Sequence, residues 1–318
     1  MLPNTLLETN SRTPSSAFSA RLHFPGSVLA RFLELRGRRI VRDCGATWYA
    51  GPGHFLMSLP YQAMLNPDPK ALRHMIRETG ALGVRFPSAS WTGVQSGLYV
   101  MRAPGYDIDS VDAIQRSGIS HGLQHFYVRP ATKAQLLSQG LSLNLSTMAR
   151  QGRYDPEFGD RRRWETLVEA AFACTEISFP AAFCGSRMAA YMITCREHRW
   201  LHILRQMSCQ EDLPNFPDHV LTYMVTRQAA SDEALDAVCY GYVPLCAAGG
   251  LHEYKLGFGY EMIPHRSAIQ LHPALDRILN SSVARAAVRA ARSLCQQHRL
   301  LETLETVLQG AHVSGPPG

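Results

Sequence analysis

The sequence lacks the short motifs that announce the most widespread catalytic devices. It contains no G-x-x-x-x-G-K-[ST] and no G-x-G-x-x-G, which argues against a P-loop or a dinucleotide-binding fingerprint. It contains no H-E-x-x-H, and its one G-x-S-x-G, at 118–122, runs into a strand-like segment rather than following one as a nucleophile elbow does. Readings as a serine hydrolase or a zinc protease are correspondingly weak. None of the eight cysteines (Cys44, Cys174, Cys184, Cys195, Cys209, Cys239, Cys246, Cys295) stands in a Cys-x-x-Cys pair, and most lie in apolar runs. Free thiols in a reducing cytoplasm are therefore expected, with no metal site. No apolar run approaches the length of a membrane span. Residues 1–20 are rich in Ser, Thr and Asn and have neither a basic start nor an apolar centre, so a flexible tail is expected rather than a secretory signal.

What is present fits a folded soluble protein. The chain has 318 residues, 46% hydrophobic and 18% charged, enough for roughly two domains. Its 32 basic residues exceed its 26 acidic ones, a net charge of +6 that suits an anionic partner such as a nucleotide, coenzyme A or RNA without choosing among them.

Read in order, the first half alternates short strands and helices. A helix is expected over 21–37 and strands over 38–43 and 54–59. A second helix covers 69–79, opened by Pro69 and closed by Gly80. Strands are expected over 81–86 and 97–101 around a polar aromatic loop at 91–96. A weak helix covers 109–115, and a strand covers 124–128. Thr132 caps a helix over 132–138 that Gly140 ends. The joint falls at 150–156, polar and punctuated by Gly152 and Pro156. Beyond it come a helix over 164–174 and three strand-like runs at 180–184, 188–194 and 200–204, which read as an antiparallel meander with a Gly185-Ser186 turn. A helix over 219–229 and a strand over 237–241 follow. The clearest helix lies over 282–308, with Arg285, Arg289 and Arg292 on one face, and residues 310–318 read as a second flexible tail.

The most informative stretch is Gly249 to Pro264. A short helical turn carries His252, Glu253, Tyr254 and Lys255. A Gly257-Phe258-Gly259 break follows, then an apolar strand with Pro264 at its edge. The run His252-Glu253-Tyr254-Lys255-Leu256-Gly257-Phe258-Gly259 resembles the hydrophobic-Lys-x-x-Phe-Gly signature near the end of FemAB-like members of the GNAT acyltransferase superfamily. The resemblance is most specific over residues 161–273 and looser over 38–153. It implies an α/β (α+β) fold of tandem GNAT-like halves with mixed, mostly antiparallel sheets. The halves would span 21–150 and 151–280, each with its own sheet and the site at their cleft, followed by a long C-terminal helix over 281–309.

The resemblance also implies acyl transfer. The donor would be acyl-coenzyme A or aminoacyl-tRNA, used as co-substrate with nothing bound covalently. The acceptor would be an amine or hydroxyl of a small molecule, sugar or peptide; DNA is not an expected partner. Such chemistry must hold an anionic donor, stabilise an oxyanion and move a proton. Lys255 falls on the motif lysine, and Tyr254, Tyr260 and Glu253 are candidates for the proton. Asp218 and His219 sit where a donor phosphate would meet a helix N-terminus. The Gln/Arg-x-x-Gly-x-Gly/Ala loop of coenzyme-A-binding members is missing at 215–220, which leaves room for another donor. Arg285 and Arg289, with Arg292, become a tRNA-binding surface if the donor is charged tRNA. Arg39, Asp43, Trp48, Tyr49, Arg85, Tyr99, Arg150, Gln151 and Arg153 are candidates to line an acceptor groove, where arginine forks suit phosphate or carboxylate. The reading from another class is a binding or scaffold protein that kept the fold and lost the chemistry.

Overall fold

The computed structural model describes residues 27–51, 54–243, 249–279 and 314–315. The expected C-terminal helix, both tails, Arg285, Arg289, Arg292, Cys246 and Cys295 lie outside them. No helix among the described residues is long and apolar enough to cross a membrane.

The first half opens with α1 (Val28–Leu35), then β1 (Ile40–Asp43), β2 (Ala46–Ala50) and β3 (Phe55–Leu59), a meander in which β2 pairs antiparallel with both neighbours. Helix α2 (Pro69–Thr79) has the expected bounds. Asp68 accepts from Lys70 N and Ala71 N, Pro69 opens the first turn, and Gly80 closes it at φ 66°. The chain returns as β4 (Gly83–Ser88), parallel to β3. Strand β5 (Val94–Arg102) is longer than expected and takes in part of the polar loop. Then come α3 (Ala113–Gly122), longer than the weak helix expected, and β6 (Tyr127–Pro130).

Thr132 does cap a short helix, α4 (Lys133–Gln135), but Gly140 does not end it. The chain continues through a π-helical turn, Leu136–Gly140, into α5 (Leu141–Arg150). Gly140 serves a different need. A Cβ there would stand 2.5 Å from Trp164 Cζ2, so glycine is what admits the indole, whose Nε1 donates to the Leu136 carbonyl at 3.1 Å.

The second half repeats the plan of the first. After α6 (Pro156–Gly159) and α7 (Arg161–Phe172) come β7 (Ile177–Ser178) and a meander of β8 (Pro180–Cys184), β9 (Arg187–Glu197) and β10 (Trp200–Ser208). Helix α8 (Pro217–Ala230) returns the chain to β11 (Ala237–Tyr242), parallel to β10 as β4 is to β3. Strand β9 is an almost unbroken apolar run because it is covered on both faces. Tyr191, Ile193 and Cys195 join a core with α1 and α7, while Ala190 and Met192 join the core under α8. The half ends with α9 (Gly249–Gly257), β12 (Glu261–Leu271) and α10 (Pro273–Leu279).

The sheets are not separate. The strands form one sheet in the order β1-β2-β3-β4-β12-β5-β11-β10-β9-β8-β6, with β7 attached to β9. Of its pairings among the described residues only β3–β4 and β10–β11 are parallel, so the sheet is mixed and mostly antiparallel. Strand β12 enters the first half between β4 and β5, and β6 pairs with β8 in the second. Pro264 therefore sits in a central strand, not at an edge. It lies opposite Gly97 of β5, whereas pairing with β4 begins only at Arg266, so its missing N–H breaks no ladder bond on that side.

Candidate active site

Strands β10 and β11 pair over only three residues each, Trp200 with Ala237 to His202 with Cys239. Beyond this the register of β10 against β9 shifts between Ile203 and Arg205, and that of β11 against β5 shifts between Cys239 and Tyr242. Such irregularities bend a strand away from its partner. Beyond them a cavity of about 750 Å³ is lined by β10, β11, α8 and α9.

Lys255 lies in its wall. It is one of three lysines in the chain; Lys70 and Lys133 are exposed or nearly so. Lys255 is 5% exposed, and its Nζ donates to the Tyr240 carbonyl at 2.6 Å. The ammonium also stands 4.3 Å from the ring centroid of Tyr99 and 4.5 Å from that of Tyr240. Two aromatic faces and a carbonyl offset part of the cost of burying the charge. Burial still dominates and lowers the lysine pKa to about 8, opposed by the nearby Cys239.

The motif around Lys255 has a mechanical reading. Phe258, fully buried, sits one turn after Lys255 and packs on Tyr254 and on His219 of α8, at 4.8 and 5.6 Å between ring centroids. Gly259, at φ 78°, lets the chain turn sharply into β12. A Cβ there would meet the Ser110 carbonyl oxygen at 2.7 Å. The lysine is thus aimed by an aromatic anchor and a glycine exit.

A polar chain lines the same cavity. Tyr240 donates its hydroxyl to Gln206 Oε1, and Gln206 Nε2 donates to Asp218 Oδ1 at 3.0 Å. Ser208 Oγ donates to Asp218 Oδ2 at 3.0 Å and accepts from Arg150 Nη2 at 3.1 Å. Burial raises the Asp218 pKa, against the bonds from Gln206 and Ser208 and the charge of Arg150. His219, packed against Phe216 and Tyr254, is lowered by burial to about 4 and is neutral at physiological pH. Tyr254 donates to the Asp218 carbonyl at 3.1 Å and lies 3.0 Å from Thr222 Oγ1; burial drives its pKa well above the usual tyrosine value.

Of the residues singled out from sequence, Lys255, Tyr254, Asp218, His219, Arg150, Gln151 and Arg153 all line this cavity. Tyr99 stands behind Lys255, its hydroxyl 2.8 Å from His252 Nδ1. Others are placed elsewhere. Glu253 is exposed on α9. Tyr260 is buried, its hydroxyl 2.6 Å from Thr226 Oγ1. Trp48 is fully buried in the core under α2, its indole donating to the Asp43 carbonyl, and Arg39 is exposed and donates to the Thr79 carbonyl at the end of α2. Arg85 donates to Ser267 Oγ at 2.8 Å, away from the cavity. Tyr49 opens onto a second cavity. Sequence reasoning missed Gln206, Ser208 and Tyr240. Their only signal was position in strands, since what gathers them is the parting of β10 from β11.

No protein-family model matches the sequence, and no curated protein matches it. Among solved structures, FemX aligns with a TM-score of 0.54 over 83% of this chain and 97% of its own, at 11% identity. The C-terminal domain of an Agrobacterium fabrum protein assigned as a lysylphosphatidylglycerol synthetase aligns with a TM-score of 0.53 over 85% of this chain and 93% of its own, at 10% identity. The chain has a FemAB-like GNAT fold. Within this FemAB-like fold, the Lys-x-x-Phe-Gly segment is the last turn of α9 and its exit, facing the parted parallel strands.

Proposed function

We propose that this protein transfers an acyl or aminoacyl group from a thioester or ester donor to an amine or hydroxyl of a small-molecule, sugar or peptide acceptor. The observation that carries the reading is the burial of Lys255 in the wall of the cavity between β10 and β11. A buried ammonium is costly unless a partner charge develops beside it. In acyl transfer that partner is the oxyanion of the tetrahedral intermediate, and one preorganised donor of this kind contributes about 3–4 kcal/mol. The acceptor nitrogen or oxygen forms a bond to the acyl carbon, and the carbon–sulfur or carbon–oxygen bond of the donor breaks. The proton lost by the acceptor passes to Asp218, which faces the same space. Tyr254 stays protonated and is the donor to the leaving group.

The fold supports this reading through its likeness to FemX and to the synthetase domain. Either acyl-coenzyme A or aminoacyl-tRNA fits as donor. Lys255→Ala tests it: turnover should fall at least 100-fold while the melting temperature changes little, and unchanged turnover removes the mechanism.

One observation favours the second reading, a binding or scaffold protein without transfer. The Asp218 carboxylate, held by Gln206 and Ser208, sits at the start of α8, where a donor phosphate would otherwise meet free N–H groups. Thermal-shift titration with coenzyme A, acyl-coenzyme A and aminoacyl-tRNA separates the two: stabilisation by none of them favours the scaffold.

A further inference from the structure

Strand β11 carries one residue more than β5 over a short stretch. Cys239 pairs with Val100 and Tyr242 with Leu98, so Tyr240 and Gly241 both stand opposite Tyr99. Gly241 has φ 79°, in the left-handed region that glycine enters without cost. A bulge of this kind leaves its extra residue out of the ladder and re-aims it. Here the re-aimed group is the Tyr240 carbonyl, which accepts from Lys255 Nζ at 2.6 Å.

Tyr99, on the facing strand, meets α9 at two points. Its ring centroid lies 4.3 Å from the Lys255 ammonium, and its hydroxyl lies 2.8 Å from His252 Nδ1. His252 and Lys255 are three residues apart, hence on one face of α9. Tyr99 is fully buried and His252 is half-buried, and neither lines the cavity into which Lys255 opens. Burial, with the Glu253 carboxylate nearby, raises the Tyr99 pKa, so the phenol keeps its proton and has it to donate. Strand β11 supplies the other titratable groups beside the ammonium. Burial pushes Cys239 up to about 11 and raises Tyr240 further, so both are uncharged where Lys255 titrates.

We propose that Tyr99 and His252 are positioning residues for Lys255. Tyr99 donates to His252 Nδ1, and this bond holds the first turn of α9 against the ring. The ammonium is thereby kept over the Tyr99 face and at the bulge carbonyl. That it meets an oxyanion there rests on the transferase reading above; its placement by Tyr99 and His252 does not. The bond acts on the charge as well as on the geometry. A phenol that donates its proton is polarised toward its oxygen and ring, which strengthens the negative face under the cation. Without the bond, ring and helix are free to part, the ammonium loses a partner, and the neutral amine gains.

The test is the titration of Lys255 itself, followed by nuclear magnetic resonance in the full chain. With three lysines in the sequence, carbon-13 at lysine Cε gives three signals, and the one absent from Lys255→Ala belongs to Lys255. Its midpoint in the wild type should lie at about 8. Tyr99→Phe, which keeps the ring, and His252→Ala should each lower that midpoint by about half a pH unit, about threefold in proton affinity. His252→Asn, whose side-chain oxygen can accept where Nδ1 does, should recover most of the shift. The falling limb of turnover should move with the midpoint. A midpoint unmoved in Tyr99→Phe and His252→Ala overturns the proposal, even if both variants lose stability. So does a midpoint in His252→Asn no nearer the wild type than that of His252→Ala. A midpoint that moves while the falling limb stays upholds the positioning and counts against the oxyanion role of Lys255, so the two readings fail separately.

Discussion

At the scale of the residue, Lys255 is held in a state that pH reveals. As the oxyanion partner it must be charged, and its pKa is lowered to about 8. Turnover should therefore fall as pH rises through about 8. In Lys255→Arg, which stays charged across that range, the falling limb should vanish whatever the residual rate. A rate that rises through pH 8 would make Lys255 a base instead. The same residue sets a stability trend. Between pH 8 and 10.5 the unfolded chain keeps a proton that the folded chain has released, so stability rises with pH in that window. Below it the burial penalty is complete. Lys255→Met should raise the melting temperature at pH 7, by about 2 °C for each kcal/mol relieved, and the gain should shrink toward pH 10.5. His202 gives the opposite flank. It is 1% exposed, neither ring nitrogen has a partner, and burial lowers its pKa to about 3. As pH falls from 6.5 toward 3, the unfolded chain binds a proton that the folded chain refuses, and stability is lost. In urea unfolding, His202→Met should therefore be better by more at pH 5 than at pH 8. The place of Lys255 on a short helix before a glycine break was legible in a motif. Its environment was not, because the rings around it come from β5 and β11, and nothing local in the sequence reports that approach.

At the scale of the element, two tight turns of one chain separate two uses of glycine. Gly185, in the turn between β8 and β9, has φ 57° and open space around its Cα. Gly185→Ala should cost about 1–2 kcal/mol, the strain of the left-handed backbone alone, with turnover unchanged. Gly259 adds a collision with the Ser110 carbonyl. Gly259→Ala should cost about 2–4 kcal/mol and should also lower turnover, since it shifts the end of α9 that aims Lys255. Equal losses in the two variants, by chemical denaturation, would show that the close approach does not matter. Elements with strong local signals were readable, as α2 was from Asp68, Pro69 and Gly80. Elements set by distant packing were misread. Gly140 looked like a helix end because the sequence around it shows nothing of Trp164, whose indole needs the space.

At the scale of the whole molecule, the antiparallel meander of β8, β9 and β10, with the helix and strand after it, was legible in the second half, because those contacts are mostly between neighbours in sequence; strand β2 and the parallel pairings of β4 and β11 were not. Nor was the joining of the halves. The pairing of β12 with β4 and β5 spans most of the chain, and a sequence that reads as strand does not name its partners. The consequence is mutual dependence. A fragment of residues 1–150 would leave β4 and β5 without the strand between them, two long edges whose cores, around Phe86, Trp91, Tyr99 and Met101, would open to water. A fragment of 151–318 would leave β12 unpaired on both sides and β8 without β6. Neither should show cooperative thermal unfolding by circular dichroism when produced alone. Mixed in equal amounts, they should recover a cooperative transition, because each supplies the strand the other lacks. A cooperative transition in residues 1–150 alone would mean that the first half closes its own sheet, and the continuous sheet that joins the two cavities would have to be abandoned.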